Sequence, residues 1–252
     1  MDFIIFPGEL LAIFFLVAIV AGFIDTLAGG GGLITMPALI IGGVPPLAAL
    51  GTNKLQGSMG TATSTYMMLK HKRIYWRDVK YLMLFAFIGS VLGSVAVQFV
   101  NTDALSFAIP VILLLIAIYF VVSPMPSHID SAPRISKRKY TYGIVPAIGW
   151  YDGMFGPGTG SFFSLAGVSL RGQGLINATA NAKALNFSTN IASLIIFAFA
   201  GQVIWTIGIV MMLGQLIGAW LGSHCLFKIN PSYLRVIVVV ICIGMLIKHG
   251  LG

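Results

Sequence analysis

Four ionisable residues, Asp25, Lys54, Asp152 and Lys183, lie in or beside stretches of sequence that otherwise suit lipid. A charge at the centre of a spanning helix costs about 2.5–3.5 kcal/mol even on the most lenient scale, so it persists when paired, when facing water, or when used. Each aspartate precedes a break. Asp25 is followed by Gly29-Gly30-Gly31-Gly32, and Asp152 by Gly156-Pro157-Gly158-Thr159-Gly160. Each glycine in a helix interior costs about 1 kcal/mol, and proline removes a donor and clashes with the preceding turn. The helix therefore ends at both places, at membrane depth. A new short helix starting there presents free N–H groups and a positive dipole end, which together suit an anion. The backbones of Gly31, Gly32, Gly158, Thr159 and Gly160 are the candidate donors.

The stretches that carry the lysines are unusually polar. One holds Thr52, Asn53, Lys54 and Gln56, and the other Asn181, Lys183, Asn186 and Asn190. Residues 53, 56 and 60 share a helical face, as do 186 and 190. An ammonium, amides and hydroxyls around two helix starts suit a small oxyanion. Asp25 would then pair with Lys54, and Asp152 with Lys183, as structural ion pairs that hold the broken helices or as proton relays.

The elements that position these groups are read from hydropathy. Of 252 residues, 58% are hydrophobic and 9% charged, with mean hydropathy +0.95. A soluble domain carries about 25% charged residues. Eight stretches are long enough, or nearly so, for the roughly 20 residues a spanning helix needs: 9–28, 50–69, 81–100, 105–123, 141–157, 178–200, 205–226 and 233–250. Two shorter ones, 33–43 and 160–170, follow the breaks and read as half-helices or re-entrant segments. Gly89 and Gly93, like Gly218 and Gly222, read as packing faces within a monomer or between two copies of a homodimer. Trp76 and Trp205 read as interface anchors. Neither the four histidines nor Cys225 and Cys242 form a metal-ligand spacing, so no metal or cofactor is expected.

A shift of 129 places Lys54 on Lys183, Trp76 on Trp205, Gly89 on Gly218 and Gly93 on Gly222. A two-residue gap then places Asp25 on Asp152 and Gly29 on Gly156. The sequence thus reads as two homologous repeats, residues 1–123 and 141–252, joined by a basic linker at 124–140. The fold class is an all-α polytopic membrane protein, with about four spanning helices and one short broken helix per repeat. The net charge of +8 is read as orientation rather than nucleic-acid binding. Lys70, Lys72, Arg73, Arg77 and Lys80 cluster between spans and belong in the cytoplasm, as does the linker. If 160–170 completes a crossing, the second repeat is inverted, and Arg171, Lys228 and Arg235 also fall inside. This arrangement satisfies the positive-inside rule better than parallel repeats. Inverted repeats with broken helices recur in secondary transporters.

The string Gly-Phe-Ile-Asp-Thr-Leu-Ala-Gly-Gly-Gly-Gly-Leu-Ile-Thr-Met-Pro at 22–37, Gly-Thr-Asn-Lys at 51–54 and Gly-Pro-Gly-Thr-Gly at 156–160 resemble the TauE/SafE sulfite exporter family, also called the TSUP permeases. The likeness runs over nearly the whole chain. It implies movement of sulfite, sulfoacetate or other organosulfonates.

The expectation is a non-enzymatic permease of the cytoplasmic membrane, exporting a small anion by alternating access, with protons as a further partner. The rival readings are an anion channel, a non-transporting scaffold and an intramembrane aspartyl protease. The protease signature needs Gly-x-Gly-Asp, and the chain reads Gly22-Phe23-Ile24-Asp25.

Overall fold

The computed structural model describes residues 6–122 and 130–225, and every regular element among them is helical. The expected last span, 233–250, lies outside the described residues. The helices are α1 (Gly8–Ala28), α2 (Gly32–Ile41), α3 (Pro46–Lys70), α4 (Trp76–Val97), α5 (Thr102–Val122), α6 (Lys137–Lys139), α7 (Val145–Met154), α8 (Thr159–Arg171), α9 (Leu175–Phe199) and α10 (Trp205–Cys225). A five-residue π-helical segment, Tyr140–Ile144, joins α6 to α7 without interruption. Among the described residues, four helices are long and apolar enough to cross a membrane: α1, α4, α9 and α10. The 25-residue helix α3 is too polar for that criterion, and most of its residues are buried by other helices.

Both expected breaks are present. Gly29 closes α1 in the left-handed region (φ +78°) and donates its N–H to the Asp25 carbonyl at 2.7 Å. Gly156 (φ +90°) and Gly158 (φ +78°) do the same work between α7 and α8. These angles are open to glycine and strained for side chains with a Cβ. The break after Asp152 comes earlier than the hydropathy boundary at 157, because an apolar Phe155 and Met154 carry hydropathy past the last helical turn. Conversely, α4 begins at Trp76 rather than 81. Its first turn holds Arg77, Asp78 and Lys80, which hydropathy excludes but which a helix start accepts, Asp78 complementing the dipole.

Close packing uses the glycine faces, and it does so across the central linker. A Cβ on Gly89 or Gly93 would collide with the α7 carbonyls of Pro146 and Trp150. A Cβ on Gly218 would collide with the α1 carbonyl of Ile19. The choice left open by the sequence is therefore resolved: these faces are used within the chain. The contacts also give direction. Phe15, Ile19 and Phe23 of α1 meet Gly214, Gly218 and Gly222 of α10 in rising order, so these helices are parallel. The same holds for α4 and α7. By contrast, Gly51 at the start of α3 meets Phe197 and Gln202, while Gly57 meets Asn190, so α3 and α9 run antiparallel. Trp76 and Trp205 stand exposed at the starts of α4 and α10.

The segment after residue 130 lies along the end of α8. Ser131 N–H donates to the Gly172 carbonyl (2.7 Å), Arg134 N–H to Leu170 (3.0 Å), and the Arg171 guanidinium to the Ile135 carbonyl (2.5 Å). Ser136 then caps α6 by accepting from Lys139 N–H at 3.2 Å.

Gly93→Leu should force α4 off α7. Overpacking of this kind costs about 1–3 kcal/mol or more, read as a lowered thermal-unfolding midpoint in detergent. Gly143→Ala, whose Cβ would meet nothing within 4 Å, should leave the midpoint unchanged.

Candidate functional site

Lys54 and Lys183 are each the ninth residue of a 25-residue helix, about 12 Å from its start at 1.5 Å per residue. Both side chains are buried, at 1% and 0% exposure. A buried ammonium needs an anionic partner and hydrogen-bond acceptors. The acceptors are at the ends of the broken helices. Lys54 Nζ lies 2.9 Å from Asp152 Oδ2 and donates to the Asp152 main-chain carbonyl at 2.5 Å. Lys183 Nζ lies 3.3 Å from Asp25 Oδ2 and donates to the Asp25 main-chain carbonyl. Both carbonyls belong to the last turn of α1 or α7, the negative end of the helix dipole. Each lysine therefore neutralises a carboxylate and caps a helix terminus together.

The pairing corrects the expectation. Asp25 does not pair with Lys54, nor Asp152 with Lys183. Each lysine crosses the central linker to the aspartate of the other half. The reason is the packing across the linker: α1 lies on α10, α7 on α4, and the two lysine-bearing helices α3 and α9 on each other. Proximity in sequence misled because the two halves are interleaved.

The breaks touch. Gly29 packs on Gly160, Gly32 on Pro157, and the Ser161 hydroxyl donates to the Ala28 carbonyl. Tyr151 holds the second break by donating its hydroxyl to the Pro157 carbonyl at 2.7 Å. Between them lies a small, partly open cavity. The breaks contribute Gly29, Gly31, Gly32, Gly156, Gly158 and Thr159 to its wall. Helix α3 contributes Asn53, Gln56, Gly57 and Thr61, and α9 contributes Asn186 and Asn190. Asp25 and Gln215 complete it.

The amides are oriented by their own network. Asn53 Oδ1 accepts from Thr35 Oγ1 (2.6 Å) and Gln56 Nε2 (2.7 Å). That turns its Nδ2 toward Gly32, and Asn186 Nδ2 similarly faces Gly160. Asn190 Nδ2 donates to Thr61 Oγ1 at 3.4 Å, linking α9 to α3. Gln56 Oε1 is buried without a hydrogen-bond partner. Two helix starts and the amide nitrogens of Asn53 and Asn186 thus converge on one small space, with Gln56 Oε1 as an acceptor.

Not every candidate residue reaches it. Lys54, Lys183 and Asp152 sit behind the wall as ion pairs. Gly160 packs on Gly29 instead of lining the space. Thr52 Oγ1 accepts from Ile204 N–H at 3.0 Å, fixing the start of α10. Asn181 lies outside the cavity wall, partly exposed. Gln215 was missed by the sequence reading. The only signal for it was a lone amide in an otherwise apolar helix, at a position where the 129-residue shift gives Ala86.

Comparison with known proteins decides the kinship. The family described as "Sulfite exporter TauE/SafE" matches residues 14–249. The chain belongs to this family. It is 41% identical over 240 residues to a probable membrane transporter protein of a Sinorhizobium species, covering 95% of the chain and 92% of that relative. It is equally identical to a probable membrane transporter protein of Haemophilus influenzae (95% and 94% covered). A probable membrane transporter protein of Escherichia coli is 39% identical over 239 residues (95% and 89% covered). No solved structure matches. As a TauE/SafE member, the chain is a multi-pass membrane transporter rather than an enzyme.

The crossed pairing is testable by double-mutant cycles. Removing one partner of a buried pair costs about 3–5 kcal/mol, whereas replacing both by apolar groups is often neutral. Lys54→Met should be rescued by Asp152→Leu and not by Asp25→Leu, with thermal unfolding as the readout.

Proposed function

We propose that the chain is a permease of the cytoplasmic membrane for small sulfur-containing anions: sulfite, sulfoacetate or other organosulfonates. The observation that carries this reading is the cavity, where the starts of α2 and α8 and the amides of Asn53, Gln56, Asn186 and Asn190 meet. Backbone N–H groups at a helix start and fixed amide donors are what a tetrahedral or pyramidal oxyanion needs. The family's description as a sulfite exporter supports the sulfur anion.

We further propose that the two halves are inverted copies that rock against one another about the touching breaks. The antiparallel contact of α3 with α9 supports this, since these are the helices that carry the matched lysines. So does the exchange of α1–α10 for α4–α7 when the halves are swapped. The anion would pass as the breaks part, first toward one face and then the other. In this scheme Lys54 and Lys183 hold the broken helices in register through Asp152 and Asp25. Export is the direction that a potential negative inside favours for an anion moving alone.

A thermal-shift screen of the purified protein against sulfite, sulfate, thiosulfate and sulfonates tests the site. A ligand that binds only the folded state at 100 times its Kd stabilises by about 2.7 kcal/mol. The expected result is a raised midpoint with at least one sulfur oxyanion, abolished by Asn53→Leu or Asn186→Leu in protein that still folds. No shift with any of these anions would count against the assigned ligand class.

A further inference from the structure

We infer that a proton travels with the anion and that Asp25 carries it. The inference rests on the permease reading above and concerns what that permease moves besides its anion.

The two ion pairs are chemically alike and placed differently. The Asp152 carboxyl is sealed, at 1% exposure, against an equally sealed Lys54. Asp25 is 13% exposed, lines the cavity, and stands at 3.3 Å from Lys183 rather than 2.9 Å. Among the described residues of the cavity wall, Asp25 is the only titratable one. Charge is therefore easy to count. Lys54 with Asp152 is neutral, and Lys183 with Asp25 is neutral. A bare anion entering the cavity meets no net positive charge and faces a carboxylate at close range, where like charges repel.

A proton on Asp25 removes that obstacle. Asp25 Oδ1 accepts from Gly31 N–H at 3.1 Å, which leaves Oδ2, now facing Lys183, as the oxygen to protonate. The ammonium keeps its bond to the Asp25 main-chain carbonyl, so it stays in place when the carboxylate no longer holds it. Its freed charge then faces the cavity wall, and the anion takes over as counter-ion. The proton comes from the same aqueous side as the anion. On the opposite side the anion leaves, the proton leaves Oδ2, and the Lys183–Asp25 pair closes again. For a monovalent anion no net charge crosses. The membrane potential then gives no bias, and direction follows the combined proton and anion gradients.

No other titratable group competes at this position among the described residues. Helix α9 presents Lys183. Helix α3 presents Lys54, already held by Asp152, and otherwise carries Tyr66 and Lys70 toward its far end. Helix α2 has none, and α8 has only Arg171 at its end, bonded to Ile135. On α10, Cys225 is terminal and His224 is exposed, with its Nδ1 on the Trp220 carbonyl. On α1 itself, Glu9 is at the opposite end.

The experiment uses the full-length protein in proteoliposomes that contain a pH-sensitive dye, with the potential clamped by potassium and valinomycin. The probe is methanesulfonate, an acid too strong to carry its own proton. An inward methanesulfonate gradient should acidify the lumen with about one proton per anion, and flux should rise as the pH on the anion's side falls. Asp25→Asn should move the anion without acidification and with a flat pH profile. Asp25→Glu should restore both properties. Asp152→Asn should keep the proton-to-anion ratio in whatever flux it supports. Wild-type anion flux without acidification overturns the inference and leaves the permease reading standing. A normal ratio in Asp25→Asn overturns the assignment to Asp25. An absence of flux for methanesulfonate, sulfite and sulfoacetate alike overturns the permease reading and the inference with it. Should Asp25→Asn fail to fold, the wild-type ratio and the Asp25→Glu profile decide.

Discussion

Two ammonium groups have to be satisfied where water does not reach, and the rest of the structure follows from how that is done. Lys54 and Lys183 are sealed from solvent. A buried cation requires both an opposite charge and further acceptors. The ends of two broken helices supply both, through a carboxylate and a last-turn carbonyl at each. At Asp152 the break leaves the carbonyl to Lys54, while the Asp25 carbonyl accepts from both Gly29 N–H and Lys183. The break, the aspartate and the lysine are thus one device, present twice. The chain must be interleaved for the device to work, because each lysine takes its acceptors from the other half. The glycine faces of α4 and α10 make the interleaving possible by letting backbones touch.

The same breaks that end two helices begin two others. The negative ends at Asp25 and Asp152 bind the lysines, while the positive ends at Gly32 and Thr159 face the cavity. One interruption of the backbone therefore produces a cation site behind the wall and a surface of helix starts in front of it, which the proposed function assigns to the anion. Asn53 is held toward the cavity, since its oxygen is occupied by Thr35 and Gln56 and its nitrogen is left for the cavity. This division of labour differs from the simplest expectation, in which the lysines themselves would meet the anion.

Much of this was legible in the sequence. The breaks were, because four successive glycines or a Gly-Pro-Gly run cannot continue a helix cheaply. Asn53, Gln56, Asn186 and Asn190 were, because amides in a spanning segment need a polar face. The helix bounds at Trp76 and Met154 were not, since hydropathy reports lipid exposure and not the dihedral angles of a polar first turn or an apolar last one. The pairing of Asp25 with Lys183 was not legible either. It depends on which helices are neighbours in space, and the sequence offered only the nearer lysine along the chain. Gln215 was invisible for a related reason. A single amide in an apolar helix gains meaning only when the helix face it occupies is known to look at Asp25 and Asn53. The inequality of the two ion pairs, one in the cavity wall and one behind it, is likewise a property of packing.

The central claim is that the space between the breaks is an anion site reached from either face of the membrane. A single cysteine at Thr61, in the cavity wall, tests it directly once Cys225 and Cys242 are replaced by serine. Labelling by a membrane-impermeant thiol reagent would be followed from each side in oriented vesicles. The account predicts labelling from both sides, slowed on both by the transported anion. Labelling from one side only, or labelling from both that no sulfur oxyanion slows, would contradict it.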